Sequence, residues 1–345
     1  MRQTRFPKAG RNLPPRDYRF DNLRALLVLL VVFCHFCEAF SQPGDNPFYL
    51  VVYSFHVPCL LFVSGYFARF DPKGLVRRIL LPYGVFQLLY SLFDNLWLHP
   101  GRGFSLQLFY PYWLMWYLLT LFCLCLLIPL LTTGDPRRAV GILLILTGLS
   151  LHVGADPQAG YFGSLSRTLV FLPCFFLGHY AGSCFAPGFL EGLRRRRRLW
   201  LPILAGSVLL YELVLLGQEP SPELFYGACS YEKAGAGPWL RLLYLVGSMV
   251  WALLLLLLSP RRRLPVWTRI GQGTLPVYLL HGFVQRLAVK EKLFRNGDAL
   301  NALLALALTW GLLLLSSRPV CGLFRLLFHG SPGGGKQAKT RGNPL

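Results

Sequence analysis

Arg24 and His35 fall within the first apolar run of the chain, DNLRALLVLLVVFCHFCE. Ionisable groups inside such a run are costly, so each one present is a functional candidate. On a helix, eleven residues make about three full turns, which puts both side chains on one stripe about 16 Å apart. That is about half of a hydrocarbon core roughly 30 Å thick. The guanidinium then lies at one mouth of the membrane, the imidazole near or just past the middle, and Glu38 one turn further on. Histidine can take up a proton near neutral pH, and a guanidinium suits phosphate. Two more histidines reach a similar depth if their runs are helices: His56 in SFHVP and His281 in YLLHGF. Three histidines from three helices at one level imply a shared polar cavity. The alternative for each is a histidine that only hydrogen-bonds a neighbouring helix.

The elements that must hold these groups are apolar helices. The chain has 345 residues, 54% hydrophobic and 14% charged, whereas soluble domains carry about 25% charged residues. Apolar runs recur at roughly 23–42, 48–69, 78–97, 112–132, 139–154, 165–184, 199–217, 240–258, 272–290 and 299–317. The expected fold is an all-α integral membrane bundle of about ten transmembrane helices. The fifth run is short, and polar residues interrupt the ninth. Residues 1–20 read as a basic cytosolic tail, 21–320 as the membrane domain, and 321–345 as a disordered cytosolic tail. Ten crossings place both termini on one side. That side collects 26 Lys and Arg residues, against seven in the opposite loops. The positive-inside rule then puts both termini in the cytosol.

The formal charge of +20 implies topology and contact with anionic lipid headgroups first, and an anionic cytosolic substrate second. The basic residues sit in short loops and build no groove-reading motif, which argues against nucleic acid. Nine cysteines are present, mostly within the apolar runs, and no disulfide framework follows from them. Cys34 and Cys37 bracket His35, but adjacent helical positions point about 100° apart. No metal is therefore expected. The first run lacks a small-residue cleavage site and should stay as the first helix. No internal repeat is evident, which weighs against a transporter built on inverted repeats. No appended soluble catalytic domain is recognisable, so any chemistry falls to the bundle and its loops.

Five segments, DNLRALLVLLVVFCH, SFHVPCLLFVSGYF, YWLMWYLLTLF, RTLVFLPCFFLGHYAG and GQGTLPVYLLHGF, run in order over about residues 18–317. Together they resemble the acyltransferase 3 family of membrane O-acyltransferases, in its branch similar to fucose O-acetylases. The most specific feature is the Arg-to-His spacing kept as Arg24 and His35. The helix-two block is nearly as specific, with Val57 where methionine is common. The resemblance implies a ten-helix bundle. It implies transfer of an acyl group, usually acetyl, from cytosolic acyl-CoA to a hydroxyl acceptor, often a glycan or glycolipid. It carries Arg24 and His35 over as the essential pair. His56, Ser64, Gly65, Arg167, Tyr278 and His281 match blocks whose roles are less settled.

The residues fit that chemistry. Transfer from a thioester to an alcohol needs a base, and His35 is the candidate. Glu38 could orient it, or could be a polar residue near the outer headgroups. Arg24 could hold a phosphate of CoA, with Arg77 and Arg78 attracting the nucleotide; interfacial snorkelling is the alternative. Arg167 and Arg241, both at the non-cytosolic ends of their spans, could bind an acidic acceptor or a developing oxyanion, or could be interfacial anchors. Asp94 and Glu212 have no assigned role. The rival class is a multi-pass transporter or flippase for an anionic solute or lipid-linked sugar, with the histidines as a proton relay. The expected location is the cytoplasmic membrane of a bacterium, or a plasma or internal membrane of a eukaryote.

Overall fold

A computed structural model describes residues 17–101, 104–185 and 189–329. The basic tail up to Arg16, Arg102, and the stretch from residue 330 onward lie outside these. Among the described residues the chain is helical, with no strand. The longer helices are α1 Arg19–Cys37, α2 Pro47–Tyr53, α3 His56–Phe67, α4 Leu81–Phe93, α5 Trp116–Leu126, α6 Pro136–His152 and α7 Leu165–Ser183. They continue with α8 Arg197–Leu216, α9 Pro238–Leu258, α10 Pro265–Gln272, α11 Thr274–Lys290, α12 Asp298–Leu313 and α13 Arg318–His329.

Among the described residues, six segments are long and apolar enough to cross a membrane: Arg19–Cys37, Pro47–Phe67, Pro136–Ala155, Arg197–Leu216, Pro238–Leu258 and Asp298–Ser316. The short fifth run is among them, lengthened at both ends. The four other apolar runs are helical but interrupted or polar. π-helical turns at Val76–Leu80 and Asp94–Leu98 flank α4. A break between Leu126 and Ile128 ends α5. Arg167, Pro173 and His179 lie in α7, and His281, Gln285 and Arg286 in α11.

α1 is the axis of the bundle, packing against α3, α10, α11 and α12. Its polar start is buried by design of the neighbouring loop. Asn22 donates to the carbonyls of Pro260 (2.8 Å) and Arg262 (3.2 Å) and accepts from the Thr268 hydroxyl (2.7 Å). Gln272 donates to Asp21 at 2.9 Å. These bonds satisfy groups that would otherwise cost about 1–3 kcal/mol each to bury. α6, α8 and α12 turn leucines and an isoleucine outward, among them Leu144, Ile145, Leu209, Leu213 and Leu303, as lipid-facing helices do.

Two prolines shape the helices around the cavity. Pro58 has no N–H to give to the carbonyl of Ser54, four residues earlier. The second run accordingly breaks at Ser54 and Phe55, and α3 begins at His56. The Ser54 carbonyl takes the Tyr211 hydroxyl instead (3.1 Å). Pro82 likewise cannot reach the carbonyl of Arg78, and the π-helical turn carrying Arg77 and Arg78 lies just before it. Gly65 lies on α3 where it crosses α7. Its structural effect is close packing: an added Cβ would lie 2.0 Å from the Phe175 carbonyl oxygen on α7, and one at Gly178 would lie 2.0 Å from that of Phe62. Small residues at both sides of a crossing let membrane helices touch backbone to backbone.

The expectation of an irregular tail from residue 321 is corrected as far as His329. Arg318–His329 is the helix α13, because Phe324 and Phe328 recur four residues apart and bury against Phe86, with ring centroids 6.1 and 6.5 Å away.

Candidate active site

One cavity of about 640 Å³ gathers most of the candidate residues: Arg24, His35, Glu38, His56, Ser64, Arg78, Arg167 and Tyr278 all line it. α1 runs along its wall, so Arg24 marks one end and Glu38 the other. Near Arg24 lie Arg78, Gln272 and Arg325; near Glu38 lie Tyr53, Tyr161, Arg167 and Tyr226.

His35 is oriented by a second histidine. His35 Nδ1 and His281 Nε2 are 2.9 Å apart, and His281 Nδ1 is 3.1 Å from the Val277 carbonyl oxygen. A carbonyl only accepts, so His281 Nδ1 carries the proton and His281 Nε2 holds a lone pair. His35 Nδ1–H must then donate to it. The remaining ring nitrogen of His35, Nε2, is left with a lone pair, which is the form a general base needs. Gln285 on α11 donates to the His35 carbonyl (3.1 Å) and fixes the backbone. His281 itself is fully buried behind His35 and does not line the cavity. It supports the His35 ring from behind.

An aromatic wedge closes the other side of the ring. Trp113 has a left-handed backbone (φ 32°), uncommon for a bulky residue. Its indole lies 4.7 Å from the His35 ring, and the Arg286 guanidinium stacks on it at 4.4 Å. Strain of this kind persists only where surrounding contacts hold it.

Glu38 does not contact His35. Its Oε1 accepts from Tyr49 and Tyr53, both at 2.9 Å, because α2 passes the end of α1 and brings two tyrosines spaced four apart. Tyr49 also meets the Tyr226 hydroxyl (3.1 Å), and the Tyr226 carbonyl accepts from Arg167 Nε (3.1 Å). The Arg167 guanidinium is clamped between Trp116 (4.6 Å) and Tyr161 (4.9 Å). Its side chain is only 8% exposed, and its two terminal nitrogens have no acceptor among the described residues.

His56 faces the cavity with its Nδ1 bonded to the Val52 carbonyl (2.8 Å). Its Nε2 is therefore an acceptor as well. Ser64 and Tyr117 share a hydrogen bond of 3.0 Å on the cavity wall. Tyr278 presents its ring, while its hydroxyl donates to the Leu114 carbonyl. That proton is committed to holding the turn before α5.

Arg77 and Arg241 are not part of the cavity lining. Arg77 is exposed. Arg241 is fully buried elsewhere, stacked on Tyr231 at 4.6 Å and donating to the Cys229 carbonyl at 3.5 Å. It staples the 222–234 loop, which carries Tyr226 to the cavity, and its reading as a substrate contact is corrected. Glu212, unassigned from sequence, accepts from Ser54 (2.6 Å) and Trp251 (2.6 Å) at the break before His56. Asp94 accepts from Tyr112 (3.0 Å) and lies outside the cavity.

Sequence reasoning missed Tyr49, Tyr53, Tyr226 and Arg325. The i, i+4 tyrosine pair opposite Glu38 was a readable signal; Tyr226 and Arg325 had none, since they arrive from distant loops.

The cavity thus has a cationic end, an oriented imidazole midway and an aromatic end holding a buried arginine. Among curated proteins and solved structures, none matches the chain. The acyltransferase 3 family model, described as an acyltransferase domain, matches residues 17–318. The chain belongs to that family and is a multi-pass membrane acyltransferase.

Proposed function

We propose that the protein moves an acyl group, acetyl by the family's habit, from cytosolic acyl-CoA to a hydroxyl of a carbohydrate or glycolipid. The observation that carries the reading is the His35–His281 pair in the wall of a cavity with arginines at one end and aromatic rings at the other. In this reading the bundle crosses the membrane ten times, both termini are cytosolic, and the Arg24 end of the cavity opens to the cytosol.

The donor enters at Arg24 and Arg78, with its phosphates at the guanidinium groups and its thioester carried inward toward His35. The uncapped first turn of α11, Gly273 to Leu275, also opens onto this end and adds backbone N–H groups favourable to anions. The acceptor hydroxyl approaches from the Glu38 end. His35 Nε2 takes its proton as the oxygen attacks the thioester carbonyl carbon. The tetrahedral intermediate collapses, the C–S bond breaks, and the CoA sulfur leaves with the electron pair. The imidazolium returns the proton to that thiolate. Ester and free CoA leave, and His35 is neutral again. Direct attack is favoured over a covalent enzyme intermediate, because the cysteines flanking His35 are buried and none pairs with it. Ser64, Tyr117 and Arg167 are the polar groups on the wall that can meet an acceptor hydroxyl or a developing negative charge.

The test follows free CoA release from radiolabelled acetyl-CoA by protein in nanodiscs, with and without a mixed glycan extract. Release should depend on both the extract and His35. Turnover retained in a folded His35→Ala variant would sink the assignment of the base. Absence of CoA binding and turnover would favour a transporter.

A further inference from the structure

α13 has an exposed leucine face and, opposite it, a face turned to the cavity and to Phe86. Leu323, Leu326 and Leu327 are exposed, while Phe324 and Phe328 pack on Phe86. Cys321 and Arg325, four residues apart and so on one face, line the cavity at its Arg24 end. α13 also packs against the π-helical turn that carries Arg78. Neither Arg78 nor Arg325 has a hydrogen-bonding or ionic partner among the described residues. Two unpaired cations from segments far apart in sequence therefore share one mouth.

We propose that Arg325 of α13 is a donor-binding residue, which with Arg78 brackets the phosphates of the nucleotide part of acyl-CoA and lays the donor across Cys321. This rests on the acyl-CoA reading above. Like charges brought together at one opening repel each other, and a polyanion relieves that. The guanidinium fork also matches phosphate geometry. A phospholipid headgroup offers the same phosphate chemistry. The soluble donor is favoured because Arg325 shares its face with Cys321, toward the cavity, whereas the leucine face is turned to the surroundings.

The experiment uses the full chain in nanodiscs of phosphatidylcholine, alone or mixed with phosphatidylglycerol. Brief N-ethylmaleimide pulses are read at Cys321 by peptide mass spectrometry, with half-buried Cys229, outside the cavity lining, as internal control. CoA should slow labelling of Cys321 in both lipids. Pantetheine, which lacks the phosphates, should not. Arg325→Ala should weaken equilibrium binding of labelled CoA on the order of ten- to a hundredfold, the scale of a lost charge-assisted hydrogen bond. Arg325→Lys should fall between, and Arg318→Ala, an exposed arginine outside the cavity lining, should bind as wild type. CoA binding without protection of Cys321, or equal affinities for the Arg325 and Arg318 variants, overturns the proposal and leaves the donor reading standing. Cys321 labelling that responds to phosphatidylglycerol but not to CoA makes Arg325 a lipid contact and also overturns it. No CoA binding by wild type overturns the donor reading and this proposal together.

Discussion

Removal of His281 is the most exacting test of the site, because His281 is placed to affect catalysis without touching substrate. The Val277 carbonyl fixes its tautomer, and its Nε2 fixes that of His35. When His35 takes up a proton in the transition state, the bond from His35 Nδ1–H becomes charge-assisted. Such bonds contribute about 1.5–3 kcal/mol, against about 1 kcal/mol for the neutral bond at rest. The difference, about 0.5–2 kcal/mol, means that His281→Ala should lower kcat about twofold to thirtyfold, with little change in KM for acyl-CoA. His281→Gln, whose amide oxygen can accept from His35, should lose less. His35→Ala removes the base and should cost about 10²–10⁴ in rate. The double variant should be no worse than His35→Ala alone, since His281 acts only through His35.

The assay is steady-state CoA release in nanodiscs, with monodispersity on size exclusion as the folding control. Wild-type kcat in a folded His281→Ala protein would refute the reasoning. So would a double variant whose losses multiply, because His281 would then have a role of its own.

Gly178→Ala should destabilise the α3–α7 crossing by more than about 2 kcal/mol, seen as a lowered Tm, because backbone rather than a flexible side chain meets the new Cβ. Glu212→Leu strands Trp251 Nε1, while Ser54 Oγ keeps the Val51 carbonyl (2.8 Å), and should cost about 1–3 kcal/mol in stability; Glu212→Gln, which keeps an acceptor, should lose less than half of that. Arg241→Met loses the stack on Tyr231 and the bond to the Cys229 carbonyl and should lower Tm; Arg167→Met should fold and lose transfer activity. Burial pushes the Asp17 carboxyl up, but hydrogen bonds from Arg19 and the charges of Arg19 and Arg261 outweigh it and hold it below its ordinary range. A carboxyl lowered in this way stabilises the fold above its unfolded pKa of about 3.9. Asp17→Asn should therefore cost about 0.5 kcal/mol near pH 7, and its Tm deficit should close as the pH falls through the carboxylate range.

Local patterns were legible in the sequence, and long-range convergence was not. Arg24 and His35 could be placed from helical periodicity alone, because both lie on one uninterrupted helix. The break before His56 was also readable in outline, since Pro58 denies Ser54 its bond. What periodicity cannot supply is the partner across a helix interface. His281 was read as a group at the same depth as His35, but a depth does not say which ring nitrogen faces which. Glu38 illustrates the limit: one turn beyond His35, it was in reach by spacing, yet two tyrosines from α2 hold it. Arg167 and Arg241 are the same residue type at the same end of two helices. One lines the cavity and the other staples a loop, and only tertiary contacts separate them.

The neutral partner of His35 bears on how an imidazole can work as a base inside a membrane protein. A carboxylate beside His35 would favour a protonated ring at rest and bury a second charge. His281 gives orientation without adding charge, because the Val277 carbonyl uses its proton and leaves only a lone pair toward His35. The nearest carboxylate on α1, Glu38, is meanwhile engaged by Tyr49 and Tyr53 toward the aromatic end. The permanent charges that line the cavity are thus kept to its ends, with Arg24, Arg78 and Arg325 at one and Glu38 and Arg167 at the other. The middle holds neutral polar groups that can accept or share a proton. The Arg286 guanidinium is set behind the Trp113 ring, and the oriented histidine pair decides where the proton goes.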